Sequence, residues 1–306
     1  MLTKTEQKLL LVDGMALLFR AFYATSATGQ YMFNDEGIPT NGVNGFLRHL
    51  FTAANYFNPT HLAVCWDMGS KTFRNELYED YKGNRSAPPD ELIPQFDLAK
   101  EATTAFAIPN IGVQGFEADD CLGTIAHQVK DQLEVIILTG DRDILQVLDN
   151  NISVALLKKG YGNYEVETKD SFIEKRGYHP KQFVDIKALT GDSSDHYPGV
   201  KGIGPKTAEK LILQYKTVEN LLASIDKLKP AQRKKIESDR DILILSRKLA
   251  EIKLDVPLTF KLKDAEIRFF HDQLYANINA IKIKGMARIL DMIKEWNKEH
   301  LFEDFA

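Results

Sequence analysis

The chain has 306 residues, 44% hydrophobic and 27% charged, a length that accommodates about two domains of roughly 150 residues each. No apolar run approaches the ~20 residues that span a bilayer, and MLTKTEQKLLLVDG runs into a strand-like segment without the cleavage site of a signal peptide, so a cytoplasmic protein is expected. The formal net charge of −4 argues against a nucleic-acid partner until nine clustered acids are set aside, which leaves +5 on the rest of the chain.

Taken in order, KLLLVDG (8 to 14), HLAVCWD (61 to 67), LEVIILTGD (133 to 141) and NISVALL (151 to 157) are apolar runs of strand length, and the first three end on an acid. Residues 41 to 57 have helical spacing at Phe46, Leu47, Leu50, Phe51 and Ala54, and a second helix opens at Glu117 and continues with Leu122, Ile125, Ala126 and Val129. Alternating strands and helices predict an α/β fold, a mostly parallel central sheet flanked by helices, with its site beyond the carboxyl ends of the strands. Residues 68 to 95 interrupt this pattern with a polar, basic and aromatic stretch too long for an ordinary connection. From about residue 185 short helical segments replace strands (TAEKLILQY, TVENLLASI, AQRKKIE, DILILSRKLAEI). The predicted division is therefore an α/β domain over 1 to 185 and a helical region over 186 to 306.

The acids carry the chemistry. Asp13, Asp67, the trio Glu117, Asp119 and Asp120, the pair Asp141 and Asp143, and the pair Asp192 and Asp195 stand at strand ends or helix starts. Hard oxygen ligands in this number select Mg²⁺ or Mn²⁺ over Zn²⁺. The seven histidines form no HxH or HxxxH pair, and His196 reads as a bystander. Cys65 and Cys121 offer neither a disulfide framework nor a thiolate cage and read as core residues. Helical spacing puts Glu117 and Asp120 on one face with Asp119 to the side, and an extended chain would point Asp141 and Asp143 the same way. Two ions about 4 Å apart support in-line phosphoryl transfer.

Two further stretches suit a phosphate-rich partner. In residues 71 to 85, Lys71, Arg74, Lys82 and Arg85 are placed to neutralise phosphate, and Tyr81 to stack on an unpaired base. GVKGIGPKTAEK (199 to 210) lacks the preceding strand of a dinucleotide-binding turn and the GK[ST] of a P-loop. Its Gly-rich turns, followed by Pro205 and Lys206 at a helix start, offer backbone N–H groups and a positive helix end to an anion.

Together VDG (12 to 14), WD (66 to 67), YKGNR (81 to 85), FEADD (116 to 120), TGDRD (139 to 143), GDSSD (191 to 195) and PGVKGIGPKTA (198 to 208) resemble the bacterial 5′-nuclease family. This is the flap-endonuclease-like 5′-3′ exonuclease that also forms the N-terminal domain of DNA polymerase I. The resemblance runs from residue 9 to about 290. It implies a PIN-like sheet, a helical arch over about 68 to 95, and a helix-three-turn-helix element that holds duplex DNA through Gly199, Val200, Lys201, Gly202, Ile203, Gly204 and Lys206, with K⁺ at the 199 to 204 turn. It further implies a first Mg²⁺ held mainly by Asp13, Asp67, Glu117, Asp119 and Asp120 and a second mainly by Asp141, Asp143, Asp192 and Asp195. Lys82 and Arg85 match the family's phosphate-contacting cations at the base of the arch.

The implied reaction is phosphodiester hydrolysis at flaps, nicks or RNA-primer junctions by a nucleoid-associated monomer, with polymerase activity supplied by a separate protein. The departure is His196-Tyr197, where Asn-Ile is commoner. A haloacid-dehalogenase-type phosphatase would leave Asp13, Asp67 and the FEADD trio unused. A DNA-binding protein without catalysis would keep nine repelling carboxylates at a cost in folding energy.

Overall fold

The computed structural model describes residues 7–27, 29, 31–267, 283 and 285–301, the side chains of 296–301 excepted. Strands β1 (Lys8–Asp13), β2 (His61–Cys65), β3 (Asn110–Ile111), β4 (Glu134–Thr139), β5 (Ile152–Leu157) and β6 (Tyr164–Glu167) form one sheet in the order β3-β2-β1-β4-β5-β6, parallel except for β6. The even apolar run of β1 follows from its central place, where both faces are covered. Alternate residues go to opposite cores: Leu9 and Leu11 join Ile137, Val154 and helix α5 (Ala118–Val129), while Leu10 and Val12 join Ile136, Leu138 and helices α1 (Gly14–Ser26) and α2 (Asn41–Phe57). Cys65 and Cys121 are both buried in the first core, as expected.

The order of connection reverses at β1: β2 lies on one side and β4 on the other, so Asp13 ends its strand at the crevice where an open α/β sheet places its ligand. Gly14 is required there because a Cβ at that position would sit 2.6 Å from the Trp66 ring.

Residues 68 to 95 form less helix than an arch implies. They contain the five-residue α3 (Phe73–Leu77), a run of turns over 79 to 84, and the start of α4 (Ile93–Ala105). The predicted C-terminal helices are present as α8 (Pro205–Tyr215), α9 (Val218–Ala223), α10 (Pro230–Ser238) and α11 (Arg240–Ala250). They are preceded by α6 (Lys169–Arg176) and α7 (Phe183–Thr190), for which the sequence showed no clear period. The expected division after residue 185 falls inside α7, whose Ile186, Ala188 and Leu189 share a core with the sheet residues Ile137 and Val154. The change from strands to helices comes earlier, after Glu167. Residues 268 to 282 of the expected helical region lie outside the described residues.

On α2, His49 is 4% exposed, its ring 4.1 Å from that of Tyr161 and its Nδ1 without a hydrogen-bond partner among the described residues. Burial, helped by Arg20 and Arg48, pushes it down from 6.5 to about 4. Neutral His49 therefore contributes stability that is present above pH 6.5 and is lost as pH falls toward 4, in total about 3 kcal/mol. Urea unfolding between pH 7 and pH 4 is expected to show that excess slope in the wild type and not in His49→Phe.

Candidate active site

Asp13 caps α1: its Oδ1 accepts from the Ala16 N–H at 2.9 Å and its Oδ2 from the Thr139 hydroxyl at 2.7 Å. Thr139, the last residue of β4, also accepts from the Asp141 N–H at 3.0 Å, which ties the ends of two neighbouring strands together. Asp67, just past β2, accepts from the Ala118 N–H at the start of α5 at 2.7 Å. Burial pushes Asp13 up to about 6 against these hydrogen bonds, with Asp67 and Asp141 adding to the rise. Asp119 is driven well above the carboxylate range by burial and then by Asp141, Asp13 and Glu117, and it accepts no hydrogen bond among the described residues. Asp13, Asp67, Asp119 and Asp141 thus form one repelling group at the reversal of the sheet.

Within the FEADD trio the roles differ from those expected. Glu117 and Asp120 do share a side of α5, but that side faces Arg74. The Arg74 guanidinium donates to both Asp120 oxygens at 2.7 and 2.9 Å, and Asp120 also accepts from the Glu117 and Lys253 N–H groups at 3.0 and 2.8 Å. With four donors and no exposure, Asp120 is a structural anchor and has no oxygen free for an ion. Asp119 is the member that faces the strand-end acids.

Arg74, expected at the DNA surface, is likewise drawn into the core. It is 2% exposed and further donates to the Leu249 and Glu251 carbonyls at 2.9 and 2.8 Å, pinning α3 to the end of α11. Tyr81 is 3% exposed and directs its hydroxyl to Asp195 at 3.1 Å and toward Glu117 at 3.4 Å, so its ring is unavailable for base stacking. Lys71 is exposed.

The remaining cations of the turn segment reach into the acids. Lys82 pairs with Glu117 at 2.7 Å and donates its N–H to the Asp195 carbonyl at 2.8 Å. Its φ of 56° is unusual for a side-chain-bearing residue and places some backbone strain in the turn. Arg85, half exposed, pairs with Asp195 at 2.8 Å. His196 also has a positive φ and its ring meets the Asp80 carbonyl at 3.1 Å, a conformation that Asn adopts more readily.

Asp141 and Asp143 do not alternate along an extended chain. Asp141 Oδ1 accepts from the Asp143 N–H at 2.8 Å, and Asp143 opens a short 3₁₀ turn. This turns Asp143 toward Lys187, which lies 2.7 Å away and also pairs with Asp192. Burial and Asp141 push Asp143 up to about 6 against Lys187. At Asp192 the balance reverses: burial is overcome by Lys187 and Ser194, which hold it at about 2. Sequence reasoning missed Lys187; its one signal is a lone lysine four residues before GDSSD, in the short helical stretch FVDIKALT.

Among the described residues no three His, Cys, Asp or Glu side chains converge as a ready cage for an ion. The physical reason is visible in the pairings above: apart from Asp119, the acids lean toward protein donors. The donor set nevertheless fits Mg²⁺ or Mn²⁺, because it is all carboxylate and its members raise one another's pKa where a divalent cation would relieve them.

The turn at 199 to 204 packs directly on the end of α7. A Cβ on Gly199 would lie 2.2 Å from the Thr190 carbonyl carbon, and Gly191 and Gly202 have φ of 70° and 78°. The Lys201 N–H donates to Asp239 at 2.7 Å and Lys235 donates to the Gly202 carbonyl at 2.8 Å. Lys201, Gly202, Gly204 and Lys206 are exposed, whereas the side chains of Val200 and Ile203 belong to the core and their N–H groups donate to the Leu189 and Val200 carbonyls.

A family model described as the N-terminal resolvase-like domain of 5′-3′ exonucleases matches residues 8–177, and one described as their C-terminal SAM fold matches residues 178–273. The chain is 57% identical over 288 residues to a 5′-3′ exonuclease of Bacillus subtilis, covering 94% of this chain and 97% of that protein. It is 42% identical over 261 residues to a DNA polymerase I of Bacillus caldotenax, covering 85% of this chain and 29% of that protein. Among solved structures it is similar to a bacteriophage T5 flap endonuclease complex with DNA and metal ions (TM-score 0.65, 20% identity, 95% of this chain and 98% of that one). The Rad2 catalytic core in complex with DNA substrate is also similar (TM-score 0.58, 18% identity, 95% and 92%). At these identities the structural likeness speaks to the fold alone.

The Arg74–Asp120 pair can be tested by stability. Arg74→Met leaves Asp120 charged and buried, and is expected to lower the unfolding free energy by about 3–5 kcal/mol, measured by urea denaturation. Lys71→Ala, at an exposed position, is expected to stay within about 0.5 kcal/mol of the wild type.

Proposed function

The chain belongs to the 5′-3′ exonuclease family, and we propose that it hydrolyses DNA phosphodiesters at junctions of single and double strands, cutting 5′ flaps and primer ends. The observation that carries this reading is the juxtaposition at one sheet crevice of the repelling group Asp13, Asp67, Asp119 and Asp141 with Lys82 and Arg85. Such a pairing of acids with cations suits a phosphate that must be held and attacked.

Asp13, Asp67, Glu117 and Asp119 would hold one Mg²⁺, with Asp141, Asp143, Asp192 and Asp195 contributing to a second; Mn²⁺ could substitute. When bound, these ions supply a water of lowered pKa and charge stabilisation on the scissile phosphate. Thr139 keeps Asp13 oriented. Lys82 and Arg85, now paired with Glu117 and Asp195, exchange those carboxylates for phosphate oxygens when DNA arrives and offset the charge that develops there. The exposed Lys201 and Lys206 and the N–H groups at the start of α8 grip the duplex backbone without reading sequence. A K⁺ ion at the 199 to 204 turn would add to that grip, and the protein acts as a monomer.

The test is cleavage of a 5′-end-labelled flap duplex. Cutting near the junction in Mg²⁺ is expected to disappear in EDTA and to fall by on the order of 10²–10³-fold in Asp141→Ala and in Lys82→Ala, while salt-sensitive DNA binding persists. Tight binding without cutting under any metal would identify a DNA-binding protein that lacks the chemistry.

A further inference from the structure

Lys187 differs from the other cations of the site in how it is held. Lys82 and Arg85 ride on the turn segment between α3 and α4, whereas Lys187 stands on α7, whose neighbouring Ile186, Ala188 and Leu189 are locked in the core. Its side chain is 19% exposed, and its ammonium group bridges two carboxylates from different elements: Asp143 of the 3₁₀ turn at 2.7 Å, and Asp192 just beyond α7. Asp192 is otherwise saturated, because its second oxygen accepts from the Ser194 N–H and hydroxyl at 2.7 and 2.6 Å and from the Asp195 N–H at 3.2 Å. The oxygen that remains for an ion is the one Lys187 holds.

We propose that Lys187 is a built-in counter-cation for the Asp143–Asp192 pair, seated where a divalent ion shared by these carboxylates would sit. The inference rests on the metal reading above. The ammonium cancels part of the carboxylate repulsion and lets the pair exist without metal, and it must swing aside before an ion can take both oxygens. The site built on Asp143 and Asp192 is therefore the weaker of the two cation sites, and its weakness originates in Lys187 rather than in a shortage of ligands.

Calorimetric titration of the intact chain with MnCl₂, without DNA, separates these ideas. The wild type is expected to show two binding events of unequal affinity. In Lys187→Met the weaker event tightens by at least about tenfold, as expected when a unit charge is removed from beside the ion, and in Lys187→Arg it stays weak. The melting temperature of Lys187→Met falls in EDTA and recovers with Mn²⁺ by more than that of the wild type. If Lys187→Met does not fold without metal, Lys187→Gln keeps a neutral donor at the same place and is expected to show the same tightening. A weaker event that is unchanged or weakened in the Met and Gln variants, with the tight event intact, overturns the assignment of Lys187 and leaves the metal reading standing. The absence of any binding by the wild type overturns both.

Discussion

Carboxylates crowded at the end of a parallel sheet repel one another, and much of this molecule is arranged around that repulsion. Burial and mutual proximity raise Asp13, Asp119 and Asp143 above the range in which a carboxylate is comfortable as an anion. The fold answers with four cations on three kinds of footing. Arg74 is buried and permanent, Lys187 is anchored on a helix, and Lys82 and Arg85 sit on a segment of turns. The gradation from buried to exposed separates the neutralisation fixed in the core by Arg74 from the cations on the turn segment, which the proposed function assigns to the substrate.

The same interactions join the two halves of the chain. Arg74 binds α3 to α5 through Asp120 and to α11 through the Leu249 and Glu251 carbonyls. Helix α7 packs into the core beneath the sheet, carries Lys187 to the acids, ends at Gly191, and receives the backbone of Gly199 in contact too close for any side chain. The turn proposed to grip a duplex is thus in rigid register with the acids. This matters because a scissile phosphate has to arrive within about an ångström of its productive position.

The positions of the strands, the helices of strong period and the acid clusters were legible in the residues, because hydrophobic spacing and like-charge clustering are local patterns. Weaker elements were not. Strand β3 has two residues and β6 is a short antiparallel edge, and α6 and α7 lack a clean apolar stripe of their own, because α6 buries only Phe172 whereas the two turns of α7 are buried on several sides. Likewise nothing in TGDRD distinguishes an extended chain from the 3₁₀ turn that sends Asp143 toward Lys187.

By itself the sequence determined that acids suited to hard divalent cations would gather where parallel strands end, and that a Gly-rich turn would open a helix beside basic residues. Only the tertiary structure decided which of those acids are available. Asp120 is withdrawn by partners 46 and 133 residues away in the chain, Arg74 and Lys253, and Arg74 and Tyr81 are withdrawn from the surface by the same packing. A charge's role depends on what stands within about 3 Å of it, and for a residue whose partners come from distant elements that is a property of the packed molecule.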